Sequence, residues 1–203
     1  MVTGEPPSSD DLVAQVTPLH LAAQFSSAQV VKALIEAGAD LEAQDNHGLT
    51  PLYLAAQFDQ SAAVVRVLIK AGANAAAKDT YGSEPLHTAA CYNPTVDVAI
   101  ALIAAGANVN SFVLRGLEHG TPLHFACLFN PGIVSALLEA GAWVNILNIE
   151  KKSPLFLAAW KNNTEAVFVL LAYGADLELG RNPLLDSSIS AEMKAFLIQN
   201  KST

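Results

Sequence analysis

Apolar and polar positions repeat along the chain with a period close to 33 residues. A Pro-Leu pair recurs at intervals of 33, 34, 37, 32 and 29 residues. The prolines of this series are Pro18, Pro51, Pro85, Pro122, Pro154 and Pro183. A Gly-Ala pair recurs between them with a similar period, with glycines at Gly38, Gly72, Gly106, Gly141 and Gly174. Two interleaved series with one shared period predict a chain built from repeated structural units.

Each unit is predicted to contain two helices. Thr or Ser precedes Pro-Leu in most units, and this pair is typical of a helix start: the hydroxyl accepts a free backbone N–H, and proline has no N–H to satisfy. The second helix is expected to end at the glycine in a left-handed conformation. Apolar residues stand three, four, seven and eight positions before that glycine, as Ile35, Leu34, Val31 and Val30 do before Gly38. That spacing places them on one helical face.

A helix pair of this size cannot bury its apolar face alone. Stacked copies can, because each unit shields the face of its neighbour. Polar stretches with turn residues, such as Asp45-Asn46-His47-Gly48, connect the glycine of one unit to the Pro-Leu pair of the next. The pattern therefore predicts one elongated solenoid.

The motifs resemble those of the ankyrin repeat family. Thr17–Ala23 reads TPLHLAA and Glu36–Asp45 reads EAGADLEAQD, and the resemblance extends over residues 14 to 200. It implies an all-α ankyrin-repeat solenoid of antiparallel helix pairs, with hairpin loops projecting at nearly right angles and a concave groove between loops and helices. It also implies a chain that binds proteins and does not catalyse a reaction.

We expect a single domain over residues 1–203. Its predicted parts are a flexible N-terminal segment at 1–13, five units at 14–44, 45–78, 79–113, 114–147 and 148–181, and a C-terminal cap at 182–203 built as a helix pair. In the cap, Ser190 is predicted to start a helix over 191–199 whose Met193, Phe196 and Leu197 cover the fifth unit.

The chain departs from the family pattern in three places. The usual Gly-His pair at the turn between the two helices is absent from every unit. Lys151 stands where the hairpin turn should carry glycine, which predicts a distorted fourth hairpin. The loop between Gly106 and Pro122 is three residues longer than its neighbours and unusually apolar.

An aromatic residue recurs at the end of the first helix of each unit. The series is Phe25, Phe58, Tyr92 and Phe129, and the fifth unit has Trp160 followed by Lys161. One interpretation is a stripe that lines the groove and binds a partner, because aromatic side chains dominate binding hot spots. The other is structural: with Gly-His missing, the rings fold under the turns between helices and seal them. Regular recurrence favours the structural interpretation, whereas Trp160, out of register and beside Lys161, is the better candidate for a contact.

The hairpin loops form the second candidate surface. The residues proposed to bind a partner there are Asn46, His47, Leu49, Thr80, Tyr81, Phe112, Leu114, Glu150 and Lys152. Polar tips alone are ordinary solvated turns. The apolar third loop, with Phe112, Val113 and Leu114, either offers an exposed contact or tucks onto its neighbours.

Composition narrows the partner class. The formal net charge is −8, and residues 1–100 account for −7 of it with 11 acids and 4 bases. Nucleic acid and anionic membranes are therefore disfavoured as partners. The two cysteines form no disulfide framework, no run of 18 apolar residues exists, and the N-terminus lacks a secretory pattern. We expect a monomer, located in the cytoplasm by default. Whether a leader sequence was removed before this N-terminus is left open.

No catalytic or metal-binding motif stands out. His20, His87 and His124 share one position in the unit, and the resemblance implies that they hydrogen-bond between units. We expect no metal, no cofactor and no enzymatic activity. The leading hypothesis is a protein-binding scaffold acting as an inhibitor, an adaptor or an effector. The alternative is an interaction domain cut from a larger enzyme or regulator.

Overall fold

The computed structural model describes residues 15–114 and 119–200, and within them the chain is all helical, as predicted. The helices are α1 Pro18–Phe25, α2 Ala28–Glu36, α3 Pro51–Phe58, α4 Ala63–Lys70, α5 Pro85–Tyr92, α6 Val96–Ala104, α7 Pro122–Phe129, α8 Val134–Glu139, α9 Pro154–Trp160, α10 Thr164–Ala172 and α11 Ala191–Asn200. A 3-10 turn, Pro131–Ile133, precedes α8. The predicted flexible segment, residues 1–13, lies outside the described residues.

The helices stack in two layers. The first helices of the units (α1, α3, α5, α7, α9) pack side by side, each on the next, and the second helices (α2, α4, α6, α8, α10) form a parallel layer. The leucine of every Pro-Leu pair up to the fifth unit is buried in the core between the layers: Leu19, Leu52, Leu86, Leu123 and Leu155. Extensive packing joins helices of the same or adjacent units. The core is therefore a continuous line of small layers, as a solenoid requires.

The first helices begin as the sequence predicts. The hydroxyls of Thr17, Thr50 and Ser153 accept the backbone N–H three residues on, at 3.4, 3.3 and 3.1 Å. In the third unit the residue before proline is Glu84, which is buried, and its Oε1 accepts the Ser111 hydroxyl at 2.6 Å. The carboxylate thus joins the start of α5 to the next loop.

The second helices end in left-handed glycines, as expected. Gly38, Gly72, Gly106, Gly141 and Gly174 have φ between +81° and +101°. Gly174 is typical, because its N–H donates to the Leu171 carbonyl at 2.9 Å and Ala175 N–H donates to the Leu170 carbonyl at 2.9 Å. This closure turns the chain from the second helix into the hairpin loop.

Alanine substitutions at two left-handed glycines distinguish the cost of backbone strain from the cost of steric crowding. Gly174 (φ +81°) has open space around a hypothetical Cβ, so Gly174→Ala should lower the free energy of unfolding by about 1 kcal/mol. Gly180 (φ +71°) is crowded, since its Cβ would lie 2.4 Å from the Lys151 carbonyl oxygen. Gly180→Ala should therefore cost at least about 2 kcal/mol. Urea unfolding of both variants checks this, and equal costs would contradict the close packing of the last two hairpins.

The fourth hairpin is not distorted, so that prediction is wrong. The N–H groups of Glu150 and Lys152 donate to Asn148 Oδ1 at 3.0 and 2.9 Å, and Asn148 N–H donates to the Lys152 carbonyl at 3.0 Å. The first hairpin has the same bonds around Asp45. Lys151 keeps this geometry by adopting the glycine conformation itself, with φ +61°.

Replacing Lys151 by glycine should stabilise the protein. A left-handed conformation costs a residue with a side chain about 1 kcal/mol or more, so Lys151→Gly should raise the free energy of unfolding by about 1 kcal/mol. Lys151→Ala is the matched control, because it removes the amine and keeps the strain. A thermal melt that rises equally in both variants would point to charge, not to backbone strain.

The C-terminal cap contains one helix where a helix pair was expected. Pro183, Leu184 and Leu185 form a turn, closed by Leu185 N–H donating to the Asn182 carbonyl at 3.1 Å. The second member is present as α11, and Ser190 Oγ accepts Met193 N–H at 3.1 Å as predicted. Met193 and Leu197 are fully buried and Phe196 is half-buried. This single helix covers the apolar face of α10.

Candidate functional site

The recurring aromatics are exposed and stand at the ends of the first helices. Each occupies the last position of a first helix, and the first helices pack on one another, so the rings follow one another along the stack. The exposed fraction runs from 38% for Phe58 to 75% for Phe25. The members of this aromatic stripe are Phe25, Phe58, Tyr92, Phe129 and Trp160. The structure thus answers the question left open by the sequence: the rings face solvent at the helix ends.

Asparagines, not aromatics, seal the turns between the helices. Asn93 is buried, and its amide donates to the carbonyls of Ala56 and Asp59 in the preceding unit at 3.0 and 2.9 Å. Asn130 repeats the contact one unit on, donating to the Asn93 carbonyl. Asn93 Oδ1 also accepts Thr95 N–H at 2.8 Å. This asparagine ladder closes the turns of the third and fourth units, where Gly-His is missing, and the rings beside it stay exposed.

The stripe ends in a group of aromatic rings and amines. Lys161 Nζ lies 5.3 Å from the centre of the Trp160 ring and 5.6 Å from that of Phe129. Lys152 Nζ, from the fourth hairpin, lies 5.7 Å from the Trp160 ring and pairs with Glu150. That ion pair lowers the pKa of the Glu150 carboxyl, mainly through the hydrogen bond from Lys152. We call Phe129, Lys152, Trp160 and Lys161 the basic-aromatic cluster.

The first two hairpin tips present their predicted residues to solvent, with one exception. Asn46, His47, Thr80 and Tyr81 are exposed. Leu49 is half-buried, and its carbonyl accepts both Asp45 N–H and the His20 ring nitrogen Nε2. Leu49 therefore holds the hairpin on its unit through the backbone, and its side chain offers a partner less surface than predicted.

The third loop is partly packed on its neighbours and partly exposed, so each of the two interpretations holds for some of its residues. Val113 is buried and forms an antiparallel bridge with Gly120, with N···O distances of 3.0 and 3.2 Å. Phe112 is half-buried edge-on against His124, with ring centres 6.5 Å apart. Leu114 is 68% exposed. One side of the loop thus packs on its neighbours, and Leu114 alone of the three is a free apolar contact.

The histidines at the shared position are structural. The Nδ1 atoms of His20, His87 and His124 accept a backbone N–H from Thr17, Glu84 and Thr121 at 3.1 to 3.2 Å. The Nε2–H of His20 and of His87 donates to a carbonyl of the next loop, at 2.9 and 3.0 Å. Each ring thus tethers a helix start. Burial lowers the pKa of His87 and of His124 to about 4.

The two cysteines differ in burial. Cys127 is buried, which raises the pKa of its thiol, and Cys91 is half-buried. Over residues 15–114 and 119–200, no group of three His, Cys, Asp or Glu side chains could hold a metal ion. The helices of that same part of the chain are all too short or too polar to cross a membrane.

Comparison with known proteins decides the family. The family model for ankyrin repeats, in three copies, matches residues 19–113 and 86–181. The chain belongs to the ankyrin repeat family. Ankyrin repeats mediate protein–protein interaction in general, and this chain shares the stacked units on which that capacity rests.

Several relatives of this chain are much longer proteins, and the chain matches a short part of each. The chain is 36% identical to neurogenic locus notch homolog protein 2 of Homo sapiens over 165 residues, which is 81% of this chain. It is 36% identical to neurogenic locus notch homolog protein 1 of Homo sapiens over 167 residues. A shorter match, 46% over 56 residues, is to the transient receptor potential cation channel subfamily A member 1 of Drosophila melanogaster. The chain spans about 5% of the length of these relatives.

Sequence reasoning missed an exposed tryptophan. Trp143 follows a Gly-Ala pair at the position that is Asp or Asn in the other ankyrin units, and it is 61% exposed. The backbone N–H of Trp143 donates to Asn110 Oδ1 at 2.8 Å, and the backbone N–H of Asp176 makes the same bond with Asn145 Oδ1. The break in the Asp/Asn series was the available signal. Trp143 lies on the loop after α8 and was not among the predicted residues.

Proposed function

We propose that this ankyrin domain is a non-catalytic scaffold that binds a protein partner along the aromatic stripe and the hairpin tips. The observation that carries the proposal is the stripe: five aromatic side chains, all more than a third exposed, stand on successive first helices. The axes of packed helices are about 8–10 Å apart, so the rings offer contact points at regular intervals.

The geometry favours tight recognition at low entropic cost. Exposed aromatic rings supply large contact areas with few rotatable bonds, which is why they dominate hot spots. The rings stand on helices held by the buried leucines and the asparagine ladder, so little ordering is needed when a partner docks. The hairpin tips, with His47, Thr80 and Tyr81 exposed, extend the surface on the loop side.

Non-catalytic binding is supported by where the titratable groups lie. The three histidines at the shared position are used in backbone tethers, and Cys127 is buried. Glu84 is buried against Ser111 at the start of α5. A catalytic site needs a nucleophile and a base converging in one pocket. These groups instead hold the scaffold together.

Two biological roles fit a protein-binding scaffold of this kind. The chain acts as an inhibitor, an adaptor or an effector, or it is the interaction domain of a larger protein. The second option is supported by the notch and channel relatives, of which it spans about 5%. Size-exclusion chromatography of the native gene product separates the two, because a larger product indicates a domain within a longer protein.

Capture experiments with matched aromatic variants test the binding surface. The immobilised chain should retain a specific protein from a lysate of its native organism, and Trp160→Ala should reduce the amount retained at least tenfold, as loss of a hot spot does. Phe168→Ala is the control, because Phe168 is at least as exposed as Trp160 but lies on α10 in the other helix layer. Mass spectrometry quantifies the retained protein. Equal loss in both variants, or none in either, would overturn the assignment of the stripe as the binding surface.

A further inference from the structure

In the fifth unit a lysine stands at the position that is aromatic in the other four units. Counted from the second small residue of each first helix, the second position holds Phe25, Phe58, Tyr92 and Phe129 in four units and Lys161 in the fifth. Trp160 takes over the aromatic role one place earlier. The first position in the other units is Gln24, Gln57, Cys91 or Leu128, none of them charged. Positive charge thus enters the stripe at its C-terminal end alone.

The amine at that position is available to a ligand. Lys161 is exposed, and the ion pairs among the described residues do not include it. Its Nζ rests near two aromatic faces, Trp160 and Phe129, at 5.3 and 5.6 Å. Such contacts are worth about 0.5–1 kcal/mol at exposed sites and hold the amine in place without neutralising it.

The charges around the basic-aromatic cluster are mainly positive. Lys152 and Arg181 occupy the same position on adjacent hairpins, two residues before Pro154 and Pro183, and Lys151 is exposed beside them. Glu150 is paired to Lys152, and the pKa of the Asp186 carboxyl is lowered mainly by its hydrogen bonds from Ser188 and to a smaller extent by the charge of Arg181. Lys161 is exposed, and the ion pairs of the described residues do not include it. The end of the stripe is therefore a basic spot on a chain of net charge −8.

We propose that the basic-aromatic cluster binds an acidic segment of the partner protein that also carries an apolar side chain. A carboxylate of the segment pairs with Lys161 Nζ, and the apolar side chain packs on Trp160 and Phe129. Lys152 adds a second cation on the hairpin side. This inference deepens the proposed function and rests on it. A peptide is favoured over nucleic acid because the acidity of the rest of the chain would repel a polyanionic backbone.

A random dodecapeptide library, displayed and selected against the full chain, tests the chemistry without a known partner. Selected peptides should combine Asp or Glu with Phe, Trp or Leu within three residues. Their affinity should fall several-fold between 50 and 500 mM NaCl, because salt screens the charge pairs. Selection of neutral or basic peptides that still depend on Trp160 would overturn the acidic partner and leave the groove function standing. Binding of oligothymidylate in preference to the selected peptides would overturn the peptide assignment.

Charge reversal localises the effect. Lys161→Glu should weaken the selected acidic peptide at least tenfold, because attraction becomes repulsion. Lys70→Glu is the matched control, since Lys70 is also an exposed lysine without a described ion pair at the end of a helix, but in the other layer. It should change affinity less than twofold. Equal effects of the two reversals would show that net charge, not the cluster, attracts the peptide, and would overturn the proposal. Thermal melts of both variants confirm that the fold is intact.

Discussion

Lowering the pH from 7 to 5 is expected to reduce the free energy of unfolding by about 4 kcal/mol through two buried histidines. His87 and His124 are 1% exposed, and burial lowers the pKa of each to about 4. Their Nδ1 atoms accept backbone N–H groups, so protonation would also place two hydrogens face to face. The folded state therefore requires both rings to be neutral.

The direction of the pH effect follows from where each state binds protons. In the unfolded chain these histidines titrate at about 6.5. Between pH 6.5 and 4 the unfolded chain binds protons that the folded chain refuses, so acid favours unfolding. The stabilising contribution is complete above pH 6.5, is lost as the pH falls from 6.5 towards 4, and changes no further below 4. Each histidine accounts for about 2 kcal/mol at pH 5.

The chain offers its own control for the acid effect. Phe156 occupies the same position in the fifth unit and is fully buried without a titratable group. His124→Phe should therefore remove about half of the difference in stability between pH 7 and pH 5. Urea unfolding at the two pH values, for both proteins, measures it. An unchanged pH dependence in the variant would show that His124 does not carry the effect.

The repeating architecture could be read from the sequence because every unit solves the same physical problem. Proline at a helix start, a buried leucine after it and glycine at the second helix end are local requirements, and each recurs on the same period. The fourth hairpin could not be inferred correctly, because a lysine tolerates a left-handed backbone when the surrounding hydrogen bonds demand it. Lys151 does so at φ +61°. The turn at Pro183 likewise replaces a helix that the weak sixth copy of the motif suggested.

The candidate site was only partly predictable. The aromatic residues were recognised, but whether they were exposed depended on what else closed the turns, and that required three-dimensional partners. Asn93 bonds to residues 34 and 37 positions earlier in the chain. No local pattern shows such bonds, although Asn at the third position after the small pair in successive units was a hint. The contact of Lys152 with the Trp160 ring likewise joins a hairpin loop to a first helix.

Replacing Asn93 by alanine should lower the free energy of unfolding by about 3 kcal/mol. The side chain is buried and serves three partners, the carbonyls of Ala56 and Asp59 and the Thr95 N–H. Removing it leaves buried polar groups without a hydrogen bond, and each such group costs about 1–3 kcal/mol. Urea unfolding measures the loss. Ser26→Ala is the control at the same position of the first unit, where the side chain is exposed, and it should cost less than about 0.5 kcal/mol.

The same measurement on Tyr92 distinguishes the two ways of closing the turn. Tyr92 is adjacent to Asn93 and is 66% exposed, so Tyr92→Ala should change stability by less than about 1 kcal/mol. If aromatic rings sealed the turns, the order of the two variants would be reversed, with Tyr92→Ala the more damaging. Asn130 provides the second check, because its side-chain amide donates to the main-chain carbonyl of Asn93, which the Asn93→Ala variant retains. Asn130→Ala alone should therefore also lower the free energy of unfolding, by about 1 kcal/mol or more, because it leaves that carbonyl without its donor. A neutral Asn130→Ala would mean that the asparagine does not close this turn, and the exposure of the aromatic stripe would then need another explanation.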